Sequence, residues 1–175
     1  NMGGNTGGLV FAGGTLRLGA GFADDISQRT VSFLLGGGTI DTNGINLSLA
    51  NAFGTGAGGF TKADSNVTPG HLTLSGVSGI AGYTGTTTIS GGRLILGSGV
   101  DNRLSTSGAL SLSGAGGLQL GNGTGASNQT VGELASASAT SLIVGGDATL
   151  STLTVNQSTS TTYAGLIGGA GTDEN

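Results

Sequence analysis

The chain has 175 residues, a net charge of −4, no cysteine and one histidine, and 8% of its residues are charged, against roughly 25% in an ordinary globular domain. These values exclude a disulfide framework, a cysteine zinc site and a multi-histidine metal centre, and five basic residues are too few for a nucleic-acid-binding patch. A hydrophobic content of 35% with a single proline argues against a disordered linker, and glycine follows no collagen period.

The start of the chain carries no targeting segment. It begins at Asn1 without a basic region followed by an apolar one. We therefore expect that a signal peptide has been removed or that the sequence is a piece of a longer protein. No apolar run approaches the length of about 18 residues that a membrane-spanning helix requires, so the sequence predicts no such helix.

A glycine-led phrase recurs along the chain and defines a repeat. It consists of Gly-Gly, one residue, alternating aliphatic residues and a closing glycine, at 13–19, 91–97 and 116–121, with looser copies starting at 37 and 145. Successive starts are separated by 24, 54, 25 and 29 residues, and Gly58-Gly59 divides the longest interval in two. An imperfect unit of about 25 residues is typical of a solenoid.

Within each unit, aliphatic residues alternate with Thr and Ser, which predicts short half-buried strands. Gly, Asn and Asp recur between these strands, including Asn43-Gly44 and Asn122-Gly123, and supply the backbone conformations that tight corners need. The segment 24–29 is the one stretch that suggests a helical turn, and it is short. In chain order the alternating pairs are Leu47/Leu49, Leu72/Leu74, Leu94/Leu96, Leu110/Leu112, Leu118/Leu120 and Leu153/Val155.

The pattern predicts an all-β fold, a right-handed parallel β-helix (β-solenoid) of about seven coils, each of roughly 25 residues with three short strands, and residues 1–175 as a single domain. A sandwich or an up-and-down barrel would show the same alternation. Aromatic residues at 4% are too few to fill a sandwich core, however, whereas stacked aliphatic layers need none. We expect the following side chains inside: Leu16, Leu18, Leu72, Leu74, Leu94, Leu96, Leu110, Leu112, Leu118 and Leu120.

The segment 58–97 resembles the passenger-associated repeat of bacterial autotransporters. Its parts are Gly58-Gly59-Phe60-Thr61-Lys62, His71-Leu72-Thr73-Leu74-Ser75-Gly76, Tyr83-Thr84-Gly85 and 86–97, which match the family's GGLTK, GTLTLSG, Tyr-Thr-Gly, TTVSGG and LxLG elements. The segment 29–44 is similar to the region that commonly precedes this repeat, and 162–169 is similar to the opening of another copy. The resemblance covers residues 28 to 121 well and the remainder loosely.

The resemblance implies an extracellular or cell-surface bacterial β-helix that serves as a stalk or fibre, as a segment or repeating subunit of a longer surface protein. One departure is the longer turn 63–70 with Pro69, where the family has a few Gly and Ser. The 175 residues contain no translocator barrel, so autotransport as a secretion route does not follow.

Several residue types that carry chemistry in other proteins are interpreted here as structural. The segment 54–59 fits G-x-G-x-x-G, but the βαβ unit that gives this motif its meaning is missing. We expect His71 to face solvent beside a turn, and Lys62, which matches the family's lysine, to be a solvating charge on a corner.

The acidic residues also receive a structural interpretation. Adjacent residues of a strand point to opposite faces, so Asp24-Asp25 is poorly placed for the paired carboxylates of a glycosidase. We expect the remaining aspartates to lie one per unit at solvated corners: Asp41, Asp64, Asp101, Asp147 and Asp173. We therefore predict no catalytic, cofactor-binding or metal-binding residues, no cofactor and no enzymatic activity.

The leading hypothesis is a structural fibre or stalk that supports cell-surface attachment or matrix formation. Its expected partner is a further copy of the same repeats, end to end or within a longer chain, because residues 1–5 hold no charge, proline or helix former and only Asp173-Glu174 would blunt pairing at the other end. The first alternative is an adhesin passenger that binds glycans, including surface polysaccharide, or a host surface. A remote alternative is a polysaccharide-active β-helix enzyme.

An exposed aromatic patch would favour the adhesin alternative. The seven aromatic residues are scattered about one per unit, so the sequence predicts no such patch.

Overall fold

The computed structural model describes residues 7–76 and 81–168, and these form short strands joined by tight corners. The first nine strands are β1 (Leu9–Phe11), β2 (Thr15–Arg17), β3 (Val31–Phe33), β4 (Gly38–Asp41), β5 (Leu47–Leu49), β6 (Thr55–Gly56), β7 (Phe60–Ala63), β8 (His71–Leu74) and β9 (Gly82–Tyr83). The remaining strands are β10 (Thr87–Ile89), β11 (Arg93–Leu96), β12 (Ala109–Leu112), β13 (Gly117–Leu120), β14 (Gln129–Val131), β15 (Glu133–Ser136), β16 (Leu142–Gly145), β17 (Leu153–Val155) and β18 (Leu166–Ile167).

The strands stack in parallel to form the faces of a β-solenoid. Sheet A has the order β1-β3-β6-β9, sheet B β2-β4-β7-β10-β12-β15, sheet C β5-β8-β11-β13-β16-β18, and sheet D consists of β14 and β17. All the strand pairs formed by the described residues are parallel. Each circuit of the chain adds one strand to a sheet, so the six-stranded sheets B and C correspond to about six turns. The predicted all-β parallel solenoid is confirmed, with a number of turns close to the seven expected.

The register places equivalent residues of successive coils one above another. In sheet C the stack Leu47, Leu72, Leu94, Leu118, Ile143, called column C below, faces the interior. In sheet B the corresponding inward stack is Leu16, Ile40, Lys62, Ile89, Leu112, called column B. Because the side-chain period of a strand is two, Thr and Ser at the alternate positions point outward.

The interior leucines follow the prediction with one difference. Nine of the ten predicted leucines are buried, with at most 4% of each side chain exposed. Leu16 is only half-buried. It lies on β2, the outermost described strand of sheet B, and therefore has a column neighbour, Ile40, on one side alone.

Aromatic side chains fill much of the interior of the first coils. Phe11, Phe33, Phe53, Phe60 and Tyr83 are buried and form a chain of ring contacts with centroid separations of 5.1 to 6.3 Å. Rings at these distances in tilted and edge-to-face arrangements attract one another beyond their area of burial. Five of the seven aromatic residues that are scattered along the sequence therefore lie inside the solenoid, together with the aliphatic layers. These rings come from successive coils and contact one another because the coils are in register.

The corner glycines are explained by close approach of neighbouring coils. At Gly58 an added Cβ would lie well inside the van der Waals radius of the Leu34 carbonyl oxygen of the preceding coil. Asn43 has a φ of 49° and Gly44 a φ of 82°, the left-handed conformations that Asn-Gly pairs adopt readily. The predicted turn within 24–29 is present as a single 3₁₀ turn at Ile26–Gln28.

The coil that contains β12 and β13 has no strand on the face that sheet A forms in the earlier coils and sheet D in the later ones. Side-chain amides there replace the backbone hydrogen bonds of the ladder. The Gln129 carboxamide accepts a hydrogen bond from the Leu104 amide at 2.9 Å and donates to the Leu104 carbonyl at 3.3 Å. The Asn102 side chain accepts from the Thr130 amide at 2.8 Å. These amides satisfy buried backbone groups where the regular ladder is interrupted.

Candidate functional site

Lys62 is buried inside the solenoid, which overturns the expectation of a solvating charge on a corner. Its residue exposure is 0%, and it stands in column B between Ile40 and Ile89. Its Nζ donates to the carbonyl oxygens of Ala63 at 3.0 Å and Gly91 at 2.8 Å. The period of two in Phe60-Thr61-Lys62 places Lys62 on the same face as buried Phe60, and that signal was available in the sequence.

Asp64 provides the negative charge beside this buried cation. Its carboxylate oxygen Oδ2 lies 3.8 Å from Lys62 Nζ, and the two side chains are 1% and 0% exposed. The carboxylate accepts hydrogen bonds from Thr42 Oγ1 in the preceding coil, at 2.5 Å, and from the Gly70 amide in its own turn, at 2.8 Å. It accepts further bonds from the amides of Gly44 and Asn66. Asp64 thus joins the long turn 63–70 to the neighbouring coil.

The electrostatics of this corner follow from burial and hydrogen bonding. Burial lowers the pKa of Lys62 to about 8, although the nearby carboxylates of Asp64 and Asp41 raise it in part. Burial alone would raise the pKa of Asp64, but hydrogen bonds from Thr42 and from backbone amides outweigh it and lower that pKa below its ordinary value. The prediction that Asp41 and Asp64 lie at solvated corners is therefore wrong. Both side chains are buried, and their carboxylates accept hydrogen bonds.

His71 begins β8 and is half-buried, on the outer side of sheet C opposite Arg93. Its Nδ1 atom is buried and has no hydrogen-bond partner among the residues that the structure describes. Burial, together with the charges of Arg93 and Lys62, lowers its pKa. His71 therefore lies near the corner as expected, but it is less exposed than an open turn position.

A second buried cation holds another corner together. Arg103 is 4% exposed, and its guanidinium donates to the carbonyl oxygens of Gly76 at 2.5 Å, Gly97 at 2.8 Å and Ser98 at 3.0 Å. Burial lowers its pKa. Sequence reasoning did not single out Arg103, because nothing in its neighbourhood distinguishes it from a surface arginine.

The adjacent acids Asp24 and Asp25 have different surroundings. Asp25 caps the 3₁₀ turn, accepting from the Ser27 amide at 2.9 Å, and its other oxygen accepts from the Ala50 amide at 2.9 Å. Asp24 is exposed.

The other aspartates that were predicted at solvated corners differ in exposure. Asp101 is an exposed corner residue that accepts a hydrogen bond from the Asn128 amide. Asp147 is half-exposed, and Asp173 lies outside the described residues.

No group of three or more His, Asp or Glu residues suited to a metal ion occurs within residues 7–76 and 81–168. The glycine motif 54–59 runs from β6 through a corner into β7. It therefore lacks the helix N-terminus that receives phosphate in dinucleotide-binding proteins.

A groove with both polar and apolar walls opens beside sheet A. It has a volume of about 660 Å³ and lies between the 3₁₀ turn, the segment 51–55 and Gly82. Ser27 and Asn51 are joined across its floor by a hydrogen bond from the Asn51 amide to Ser27 Oγ at 3.0 Å. Gln28, Arg29 and Thr55 contribute further polar groups to its walls.

Among the described residues, β1 and β18 are edge strands of sheets A and C, and each has ladder positions that face away from its neighbouring strand. On β1, the Leu9 amide donates to Thr30 and the Phe11 carbonyl accepts from Leu34, both at 2.8 Å. Since backbone groups alternate in direction along a parallel strand, the amide of Val10 points away from β3. Val10 is 60% exposed. On β18, Leu166 and Gly168 bond to β16 in the same way, so the amide of Ile167, which is 67% exposed, points outward.

Comparisons with known proteins found no match, whether against protein-family models, curated proteins or solved structures. Within the described ranges, no helix is long and apolar enough to cross a membrane. The β-solenoid implied by the resemblance to the passenger-associated repeat is present. Whether the chain belongs to that family is a separate question, because a β-solenoid alone does not define it.

Proposed function

We propose that this chain is a structural, non-catalytic β-solenoid of an extracellular bacterial surface protein, in the manner of the passenger-associated repeat that it resembles. It acts as a stalk or a self-associating fibre subunit that supports attachment or matrix formation. Its partner is a further set of the same coils, supplied by a longer chain or by a second copy.

The observation that carries this proposal is the outward-facing ladder on β1 and β18, two edge strands of the part of the chain that the structure describes. Val10 on β1 and Ile167 on β18 each combine an amide that points away from the solenoid with an exposed apolar side chain. An unpaired strand edge is a template for another strand. A solenoid repeat is stabilised by the neighbours stacked on it.

The internal coil contacts show what such a junction requires. Equivalent residues stack in register, with parallel backbone hydrogen bonds and apolar columns. A junction of the same kind depends on backbone pairing and aliphatic burial, so salt should weaken it little, in contrast to an ionic interface.

The test is a proline substitution at the outward-facing amide. Val10→Pro removes an edge donor, while the amide of Leu9 that bonds to Thr30 stays in place. Light scattering and electron microscopy of the isolated chain should show end-to-end rods for the wild type and monomers for Val10→Pro. Circular dichroism and thermal unfolding verify that the variant is folded.

Val10→Thr is the matched control, because it keeps the amide and the β-branched shape. We expect Val10→Thr to assemble like the wild type. A wild-type chain that stays monomeric at high concentration, or a Val10→Pro variant that still assembles, would contradict the fibre proposal.

A second candidate function is favoured by the groove beside sheet A. Its lining combines polar and apolar groups, and the side chains of Asn51 and Thr55 there offer hydrogen-bonding groups for a glycan. In this case the chain would be an adhesin passenger. Binding to immobilised glycans that is lost in Asn51→Ala, with assembly unchanged, would favour this candidate.

A further inference from the structure

The two Asn-Gly pairs of the chain, at 43–44 and 122–123, have the same local sequence but different surroundings. In such a pair, the backbone nitrogen of glycine attacks the Asn side-chain carbonyl carbon, Cγ. A five-membered succinimide forms and ammonia leaves. Three features favour the reaction: a glycine amide that makes no other hydrogen bond, a carboxamide nitrogen Nδ2 that makes none either, and donors that stabilise negative charge on the carbonyl oxygen, Oδ1.

At Asn122 the structure provides all three features. Oδ1 accepts hydrogen bonds from the Ser98 amide at 3.2 Å and from Thr124 Oγ1 at 2.7 Å. Thr124 Oγ1 also lies 2.7 Å from Ser98 Oγ, which donates to it while Thr124 donates onward. Asn122 and Gly123 are exposed. Neither the Gly123 amide nor Asn122 Nδ2 donates a hydrogen bond to any other part of the chain that the structure describes.

At Asn43 the same groups are occupied. The Gly44 amide donates to the Asp64 carboxylate, at 3.2 Å from each oxygen. Asn43 Nδ2 donates to the Leu18 carbonyl at 2.9 Å, and Oδ1 accepts from Arg17 at 2.8 Å. The nucleophile and the leaving group are therefore both held in stable hydrogen bonds.

We propose that Asn122-Gly123 is a site of spontaneous covalent modification, at which the Ser98 amide and the Thr124 hydroxyl act as an oxyanion hole for succinimide formation. The Gly123 nitrogen loses its proton to solvent and bonds to Asn122 Cγ. The bond from Cγ to Nδ2 then breaks, and Nδ2 takes up a proton and leaves as ammonia. Water adds across either imide bond and yields aspartate or isoaspartate. No oxidant or reductant takes part.

The modification changes the corner between β13 and β14. It adds one negative charge, and the isoaspartate product also moves a methylene group into the main chain. The hydrogen bond from the Ser98 amide to Asn122 Oδ1 links this corner to the preceding coil. Modification at Asn122 thus alters a coil-to-coil contact in an otherwise regular stack.

The experiment follows both pairs in the same folded molecule. The full chain is incubated in ¹⁸O-labelled water at mildly alkaline pH, and peptide mass spectrometry measures ammonia loss and oxygen uptake at Asn43 and Asn122. We expect Asn122 to convert faster than Asn43, to incorporate solvent oxygen and to yield isoaspartate as well as aspartate. In the denatured chain the two pairs should convert at similar rates.

Two variants show whether the conversion rate at Asn122 depends on the oxyanion hole or only on solvent exposure. Thr124→Val removes the hydroxyl donor with little change of shape, and should slow conversion at Asn122 about fivefold, the factor equivalent to one hydrogen bond of about 1 kcal/mol. Ser98→Ala keeps both donors to Oδ1 and should leave the rate nearly unchanged. Equal rates at the two pairs in the folded chain, an unaltered rate in Thr124→Val, or the absence of isoaspartate would overturn the proposal.

Discussion

Columns B and C differ in one feature, a charged side chain in column B. Column C consists of buried aliphatic residues, Leu72, Leu94 and Leu118 among them, stacked without interruption. Column B has the same register but contains Lys62 between Ile40 and Ile89. Column B therefore accepts a cation where a corner supplies carbonyl oxygens and a carboxylate within reach. Apolar packing stabilises the side chains of column C. The side chains of column B also depend on the carbonyl oxygens and the carboxylate that pair with the Lys62 ammonium.

The largest effect should come from breaking the buried ion pair of column B. Asp64→Ala leaves the Lys62 ammonium buried without its carboxylate, and removes the acceptor for Thr42 Oγ1 and the Gly70 amide. Removing one partner of a buried pair costs about 3 to 5 kcal/mol. Urea unfolding should show this loss in the free energy of unfolding.

Asp24→Ala is the matched control, because Asp24 is an exposed aspartate. Its free energy of unfolding should stay within about 0.5 kcal/mol of the wild type. If Asp64→Ala were as mild as this control, the Lys62–Asp64 pair would not be what holds the cation inside.

A loss of similar or somewhat smaller size is expected in sheet C, whose interior has no charge. Leu96 is fully buried and stacks between Leu74 and Leu120. Leu96→Ala leaves a cavity and should cost about 2 to 5 kcal/mol. The melting temperature from circular dichroism measures the effect.

The control for this substitution lies on the outer face of the adjacent strand. Thr73 on β8 is half-exposed, and Thr73→Ala should change the free energy of unfolding by about 0.5 kcal/mol or less. Two equally harmless substitutions would show that the assignment of inner and outer faces is wrong.

The regular part of this architecture could be predicted from the sequence. Alternation of Leu with Thr and Ser identified the inward leucines, since the side-chain period of a strand leaves only two faces to assign. Leu16 differs because burial also depends on the number of neighbouring strands, which alternation does not report.

The irregular part could not be predicted in the same way. Lys62 was assigned to solvent by its charge, although its spacing from Phe60 places it inside. The carbonyl oxygens that make its burial tolerable, those of Ala63 and Gly91, include one 29 residues away. Such partners are set by the register between coils, and so is the stacking of Phe33 with Phe11 and Phe60. Local sequence carries little information about register.

The smallest expected effect is a pH dependence that belongs to column B alone. The pKa of Lys62 falls from 10.5 to about 8 in the folded chain. Between these values the unfolded chain binds more protons than the folded chain, so the free energy of unfolding rises with pH. Lys62→Met keeps a long unbranched side chain in the column and removes this contribution.

The measurement compares the wild type with Lys62→Met in urea unfolding from pH 8 to pH 10. Higher pH is avoided because burial raises the pKa of Tyr83 from 10.0 to about 12. There the unfolded chain loses that proton first, and stability falls with pH. Both proteins share the Tyr83 contribution, so their difference isolates Lys62. We expect the wild type to gain stability relative to Lys62→Met as the pH rises through this window. Parallel pH profiles would mean that Lys62 has the same proton affinity in the folded and unfolded chains, and that column B holds its cation without a change of pKa.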